Sequence, residues 1–299
     1  MRNELKIFFE KNINQRNFFI TGDLGYNIFD HLIKKNKNFL NIGVCEQSMI
    51  SFAAGLSNYY EYTYVYSIGN FLSLRPLEQI RNDVCYHNKK ICLISVGAGF
   101  SYSKYGYSHY CIEDAGILGS LQNIHVFTPF DISSLRSILK FTKDEKILSY
   151  IRIGNILTQR DNFNVNIDKK NIYRPNILLN KKADICIVSI GRITSYLYDY
   201  IHNKKCDLYF ICSNNIIDEK YVTKIFKKYK KVCLVDEHVK SLSIERNFNF
   251  IKEKITSITI NDNQSFGSIG SNEFLIEKYM KLKKKVDKFL KDSNKYVSK

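Results

Sequence analysis

One acid stands out in this chain as a candidate for chemistry. In NIGVCEQSMISFAAGL, residues 41–56, Glu46 sits among apolar and small residues. FLNIGV (39–44) reads as a buried strand and QSMISFAAGLSN continues as a helix, so Glu46 falls where a strand ends and a helix begins. In open α/β sheets ligands bind at that edge. Ser51, Ala53, Ala54 and Gly55 would let another group pack closely against the helix. A plainer role fits the same place, because a glutamate in a first helical turn complements the helix dipole. Position alone favours the plainer role.

Other reactive residue types are scattered. The eight cysteines contain no C-x-x-C pair, which argues against a zinc site and for free thiols in a reducing compartment. Cys45, beside Glu46, reads as a small apolar residue rather than a nucleophile. No metal site is expected, and neither G-x-G-x-x-G nor a P-loop is present. The net charge of +16 comes from Lys spread along the whole chain. Its one dense patch, the C-terminal KLKKKVDKFLKDSNKYVSK, reads as a solvated helix with a frayed tail, and no nucleic-acid partner is expected. There is no apolar run of membrane-spanning length, and the first residues lack the apolar core of a signal peptide, so a soluble cytoplasmic protein with no membrane partner is expected.

The elements that must position Glu46 repeat along the chain. FFIT (18–21), FLNIGV (39–44), YTYVYS (62–67), ICLISV (91–96), IHVFTP (124–129) and LSYIRI (148–153) read as buried strands. Helix candidates lie near 26–36, 47–58, 74–88, 112–121 and 131–142. Such alternation implies a parallel sheet with helices on both faces. The polar stretch around 155–182 reads as a linker. DICIVSI (184–190), CDLYFIC (206–212), KVCLVDE (231–237) and KITSITI (254–260) then restart the pattern. The expectation is an α/β protein of two consecutive domains, each a mostly parallel sheet flanked by helices: 1–160, a linker over 161–182, and 183–299.

NIGVCEQSMISFAAGL resembles the glutamate motif of the transketolase family, N-x-G-V-x-E-Q-x-M followed by A-x-G-L. Further segments resemble the family in order: DLGYN (23–27), FLSLRPLEQIRNDV (71–84), GYSHYCIEDAGIL (106–118), QNIHVFTPFD (122–131), VDEH (235–238) and FGSIGSNEFLIEKY (266–279). Each motif is weak alone, but their order and spacing hold across nearly the whole chain. The resemblance implies a thiamine diphosphate-binding pyrimidine domain followed by a transketolase C-terminal domain.

The resemblance also implies roles. Glu46 would hydrogen-bond the N1′ ring nitrogen of the cofactor's aminopyrimidine and favour its imino tautomer, preparing the cofactor to attack a ketose carbonyl. Phe71 falls where the family stacks an aromatic ring on the aminopyrimidine. His109 falls at a histidine that contacts substrate hydroxyls or moves a proton. Asp23 falls at an acid near the cofactor. Arg152 and Arg2 match arginines that contact sugar phosphate.

Departures from the family shape the rest of the expectation. TGDLGY (21–26) is not the G-D-G site for diphosphate and magnesium, because Leu24 stands at its third position and no paired Asn follows. The domain that carries that site is absent, so the chain is expected to be the C-terminal subunit of a split transketolase. An N-terminal subunit would hold the diphosphate and Mg²⁺, with two copies of each chain. Tyr105 replaces an aspartate before the histidine loop, and Gly97 and Gly119 stand where the family has a histidine and an arginine. With Tyr102 and Tyr107 nearby, these changes point to a bulkier sugar acceptor, such as a nucleotide-linked sugar. The alternatives are the beta subunit of a 2-oxoacid dehydrogenase-type decarboxylase, a deoxyxylulose phosphate synthase-like enzyme, and a non-catalytic scaffold.

Overall fold

The computed structural model describes residues 1–26 and 28–294. Asn27 of DLGYN, and residues 295–299 of the expected frayed tail, lie outside the described residues. The first sheet contains β1 (Asn17–Thr21), β2 (Phe39–Asn41), β3 (Tyr62–Ile68), β4 (Ile91–Val96), β5 (His125–Phe127) and β6 (Ser149–Ile153), ordered β2-β1-β3-β4-β6-β5 and parallel throughout. Its strands are buried on both faces, which is why they read as continuous apolar runs rather than alternating ones. Phe19, Tyr64, Ile94 and Ile151 face one apolar cluster, and Ile20, Val65, Leu93 and Tyr150 face another.

The second sheet contains β7 (Asn176–Leu179), β8 (Ile185–Ile190), β9 (Asp207–Ile211), β10 (Lys231–Val239) and β11 (Ile255–Ile260), ordered β11-β10-β8-β9-β7. All of its pairs are parallel except β7 with β9. The two mostly parallel sheets agree with the expected α/β class.

Two segments differ from the expectation. Helix Arg2–Asn12, not anticipated, inserts Leu5 and Phe9 into the first core, one turn apart on the same face. The Phe9 ring meets Phe19 edge-on at 4.8 Å, and Phe19 stacks on Tyr64 at 4.7 Å. The stretch expected as a linker is packed and partly strand. Ile167 and Ile172 are buried in the first core, and residues 176–179 form β7. Asp131 ties this stretch down. One of its oxygens accepts from the Ser134 N–H at 2.8 Å, capping helix Ile132–Glu145, and the other accepts from the Phe163 N–H at 2.7 Å. The Asn- and Lys-rich composition hid this segment, because its order comes from backbone groups bonding to Asp131 and Ser133 rather than from an apolar period.

Candidate active site at the strand ends of the first domain

Most of the candidate residues follow C-terminal ends of parallel strands, where ligands bind in open α/β sheets; Arg2 lies in the first helix and Arg152 within β6. Asp23 follows β1, Glu46 follows β2, Phe71 follows β3, and His109 lies in the long connection after β4. Because β2, β1, β3 and β4 are adjacent, residues far apart in sequence become neighbours.

Glu46 is the first residue of helix Glu46–Leu56 and is only 3% exposed. Its Oε2 accepts from Arg75 Nη1 at 3.0 Å. Its Oε1 is buried with no hydrogen-bond partner. An unmet carboxylate oxygen out of water costs free energy unless a ligand supplies a donor. That orphaned atom separates Glu46 from an ordinary first-turn glutamate, which would face solvent.

Arg75 lies over the Phe71 ring, its guanidinium carbon 3.7 Å from the ring centroid. The Phe71 ring stands edge-on to His109 at 5.3 Å. Burial, and secondarily the Arg75 charge, hold the His109 imidazole below the ordinary histidine pKa, so it is neutral at pH 7. Ser108 Oγ lies 3.0 Å from His109 Nδ1. Arg75 lies within FLSLRPLEQIRNDV, but sequence reasoning attached no role to it; its signal was an arginine at a motif position, four residues after Phe71.

Asp23 adopts φ +56°, and its N–H donates to Asn41 Oδ1 at 2.8 Å. Asn41 Oδ1 also accepts from the Gly43 N–H at 3.1 Å, and Asn41 Nδ2 donates to Asp23 Oδ1 at 3.2 Å. Asn41 therefore ties the Asp23 turn to the turn before Glu46, a brace that a sequence motif does not reveal.

The His109 loop carries the tyrosines. Tyr105 is 66% exposed, with its ring 5.1 Å from His109. Tyr102 lies 6.3 Å from His109 and accepts a hydrogen bond from Arg2. Gly97 has φ +101°, and a Cβ there would lie 2.5 Å from the Tyr102 ring. The tyrosine thus fills the space that a side chain at Gly97 would need. Arg2 also lines a cavity of about 320 Å³ with Gly97, Gly154 and Asn155.

Arg152 is not placed at this surface, which corrects its expected part in substrate contact. It is 3% exposed, and its Nε donates to Asp114 at 2.8 Å. Its Nη2 donates to the Cys111 carbonyl at 2.5 Å and lies 3.2 Å from His238 Nδ1. With these partners it is an interior group between the two domains. Cys45 is half-buried, its thiol directed at the Ile42 carbonyl. Among the described residues no cluster of three or more His, Cys, Asp or Glu could hold a metal, and no helix is long and apolar enough to cross a membrane.

The fold is that of a two-domain α/β protein whose candidate residues gather at strand ends of its first sheet. Residues 12–155, just under half of the chain, match the family model described as the transketolase pyrimidine-binding domain. The chain is similar to the B chain of the apulose-4-phosphate transketolase of Actinobacillus succinogenes, 26% identical over 78% of this chain and 67% of that one. The corresponding chain of Phocaeicola vulgatus is 22% identical over 67% of this chain and 65% of its own length. The protein thus spans about two thirds of the length of these relatives. A solved structure described as a split-gene transketolase, an inactive beta4 tetramer, has the same fold, with a TM-score of 0.74 at 21% identity over 93% of this chain and 91% of that one.

Proposed function

We propose that this chain is one subunit of a thiamine diphosphate-dependent split transketolase, a transferase that moves a two-carbon ketol unit from a ketose donor to a sugar acceptor. The observation that carries the reading is the buried, unpartnered Oε1 of Glu46, which Arg75 links to Phe71 and, through that ring, to His109. These residues fit the aminopyrimidine end of the cofactor. Glu46 offers an acceptor in a dry site, Phe71 an apolar ring face, and Asp23 a braced acid nearby. When bound, the cofactor supplies the electron sink for breaking a carbon–carbon bond.

The chain's own residues do the rest. Glu46 holds or shares a proton at Oε1, while Arg75 fixes its other oxygen. His109, neutral at pH 7, can accept a proton from a substrate hydroxyl or bond to it. Arg2 and Tyr102 orient an anionic group, and Tyr105 gives an acceptor a flat surface. The exposed apolar side chains Tyr26, Val44 and Leu74 flank Asp23, Glu46 and Arg75. This arrangement supports closure of the site by an N-terminal subunit, which would hold the diphosphate and Mg²⁺, in an assembly with two copies of each chain. The exposed Tyr105 ring supports an acceptor larger than a pentose phosphate, such as a nucleotide-linked sugar stacked on it. A cytoplasmic setting agrees with eight free cysteines.

The test is thiamine diphosphate-dependent ketol transfer by this chain alone and mixed with a candidate N-terminal subunit. Activity in the mixture only is the expected result. Robust turnover by the isolated chain would refute the split arrangement, and pyruvate-dependent release of carbon dioxide would point to a decarboxylase. Ordinary activity on xylulose 5-phosphate and ribose 5-phosphate would remove the case for a larger acceptor.

A further inference from the structure

The loop carrying His109 is closed at its neck, and the second domain grips that neck. The Gly99 N–H donates to the Cys111 carbonyl at 2.8 Å, and the Cys111 N–H returns the bond to Gly99 at 3.0 Å. Three consecutive residues at the end of β10 meet this neck. Glu237 Oε1 accepts from the Phe100 N–H at 3.0 Å. His238 Nδ1 faces Arg152 Nη2, whose other bond runs to the Cys111 carbonyl. The Val239 N–H donates to the Ile112 carbonyl at 3.0 Å.

The fit at this contact is close. Gly99 has φ +61°, and a Cβ there would collide with the Glu237 carboxyl group. Glu237 is itself locked by Arg192, whose Nε donates at 2.7 Å and whose Nη2 donates to the other oxygen. Further out on the loop, Phe100 stacks on Tyr279 at 5.5 Å and Tyr107 on Phe266 at 5.4 Å. Asn70, next to Phe71, holds the far side through the Ser108 and Tyr110 carbonyls. Tethers that set where His109 stands relative to Phe71 therefore run through Asn70 and through the second domain, beside those that Arg2 and Asn155 make to Tyr102 and Ser101.

We infer that the end of β10 is a positioning element for the site of the first domain, with Glu237 as the positioning residue that fixes the His109 loop. The inference rests on the proposed role of His109 in substrate contact. Glu237 touches no reacting group; it acts through the backbone of Phe100.

Hydrogen exchange read by mass spectrometry on the full chain tests the grip without any substrate. In Glu237→Ala, amides of 99–111 are expected to exchange at least about tenfold faster, the equivalent of one lost hydrogen bond, beyond any rise shared by both sheets from the stranded Arg192. Glu237→Gln, which retains an acceptor for Phe100, restores most of the protection. If Glu237→Ala does not fold, Glu237→Asp serves, since it keeps the charge for Arg192 but draws the oxygen back from Phe100. Unchanged exchange in the loop, or an equal rise across both sheets, overturns the inference, the second being what simple domain adhesion would give. In the two-subunit mixture, Glu237→Asp should lower kcat about tenfold without changing the affinity for thiamine diphosphate, and an unchanged kcat with a loosened loop would also overturn it. Absence of ketol transfer in the unsubstituted mixture would count against the proposed function, while the exchange measurement still judges the grip.

Discussion

Glu46 and Glu237 occupy matching places in the two domains and have opposite fates. Each is a buried glutamate at the C-terminal end of a parallel strand, or just beyond it, and each meets an arginine. Glu237 has both oxygens engaged, by the bidentate Arg192 and by the Phe100 N–H. Glu46 has one oxygen engaged, by an arginine whose side chain is 45% exposed, and the other left unmet. A satisfied buried acid holds structure together, whereas a half-satisfied one keeps bonding capacity for a ligand. The same contrast holds between the domains. The turns after β1 and β2 expose Tyr26 and Val44, while the ends of β9 and β10 close on the first domain through Asn214 and Glu237.

The sharpest break of this comparison is Glu46→Gln. Ketol transfer in the two-subunit mixture should fall roughly 10²–10⁴-fold, a general acid/base magnitude, while the urea midpoint of the chain holds or rises. An unimpaired variant would end the reading of Glu46. Next is Arg192→Ala, which strands the Glu237 charge in the interior. Equilibrium unfolding should show a loss of about 3–5 kcal/mol, and a loss under about 1 kcal/mol would mean that Glu237 is as loosely held as Glu46.

Asp236, beside Glu237, gives a pH-dependent test. Burial raises its carboxyl pKa to about 6, one oxygen accepts from the Ile244 N–H, and the other has no partner. A raised carboxyl pKa means that the ionised form is disfavoured in the fold. Its destabilising effect is fully present above pH 6 and disappears as pH falls toward the unfolded value near 4. Asp236→Asn should therefore add on the order of 2 kcal/mol at pH 8 and almost nothing at pH 4. His238 acts in the opposite sense. Burial, and then Arg152, lower its pKa to about 3, so stability is lost as pH drops below about 6.5, and His238→Gln should flatten that loss in urea titrations at pH 7 and 4.5.

The smallest expected effect belongs to Arg75→Met. Removing its charge should let the His109 titration, followed by NMR, rise toward the ordinary value near 6.5, with a stability cost of about 1 kcal/mol from the pair that Glu46 makes with the half-exposed Arg75. A His109 titration that does not move would show that burial alone lowers it.

Ten of the eleven strands among the described residues were legible because buried parallel strands are continuous apolar runs, and ICLISV matches β4 residue for residue. β7 was not legible, since an antiparallel edge strand with only partly buried side chains carries little apolar signal. Helix Arg2–Asn12 shows only two buried residues, too few to stand out among lysines and asparagines. Of the candidate site, Glu46, Phe71 and His109 were singled out through their motifs, and the structure links them through Arg75 and the Phe71 ring. Arg152 misled because a motif position carries no record of burial, and the arginine that touches Glu46 is Arg75.

What the sequence determined by itself is local. It set the apolar runs that become strands, the small residues beside Glu46, and the order of motifs that resembles the transketolase family. The tertiary structure decided which polar atoms find partners. Sequence places Glu46 and Glu237 in similar surroundings, and only packing shows that one oxygen of the first is left without a donor while the second is fully bound. Hydrogen-bond satisfaction depends on atoms brought from distant parts of the chain, Phe100 to Glu237 across 137 positions and Arg75 to Glu46 across 29, and no local pattern encodes those meetings.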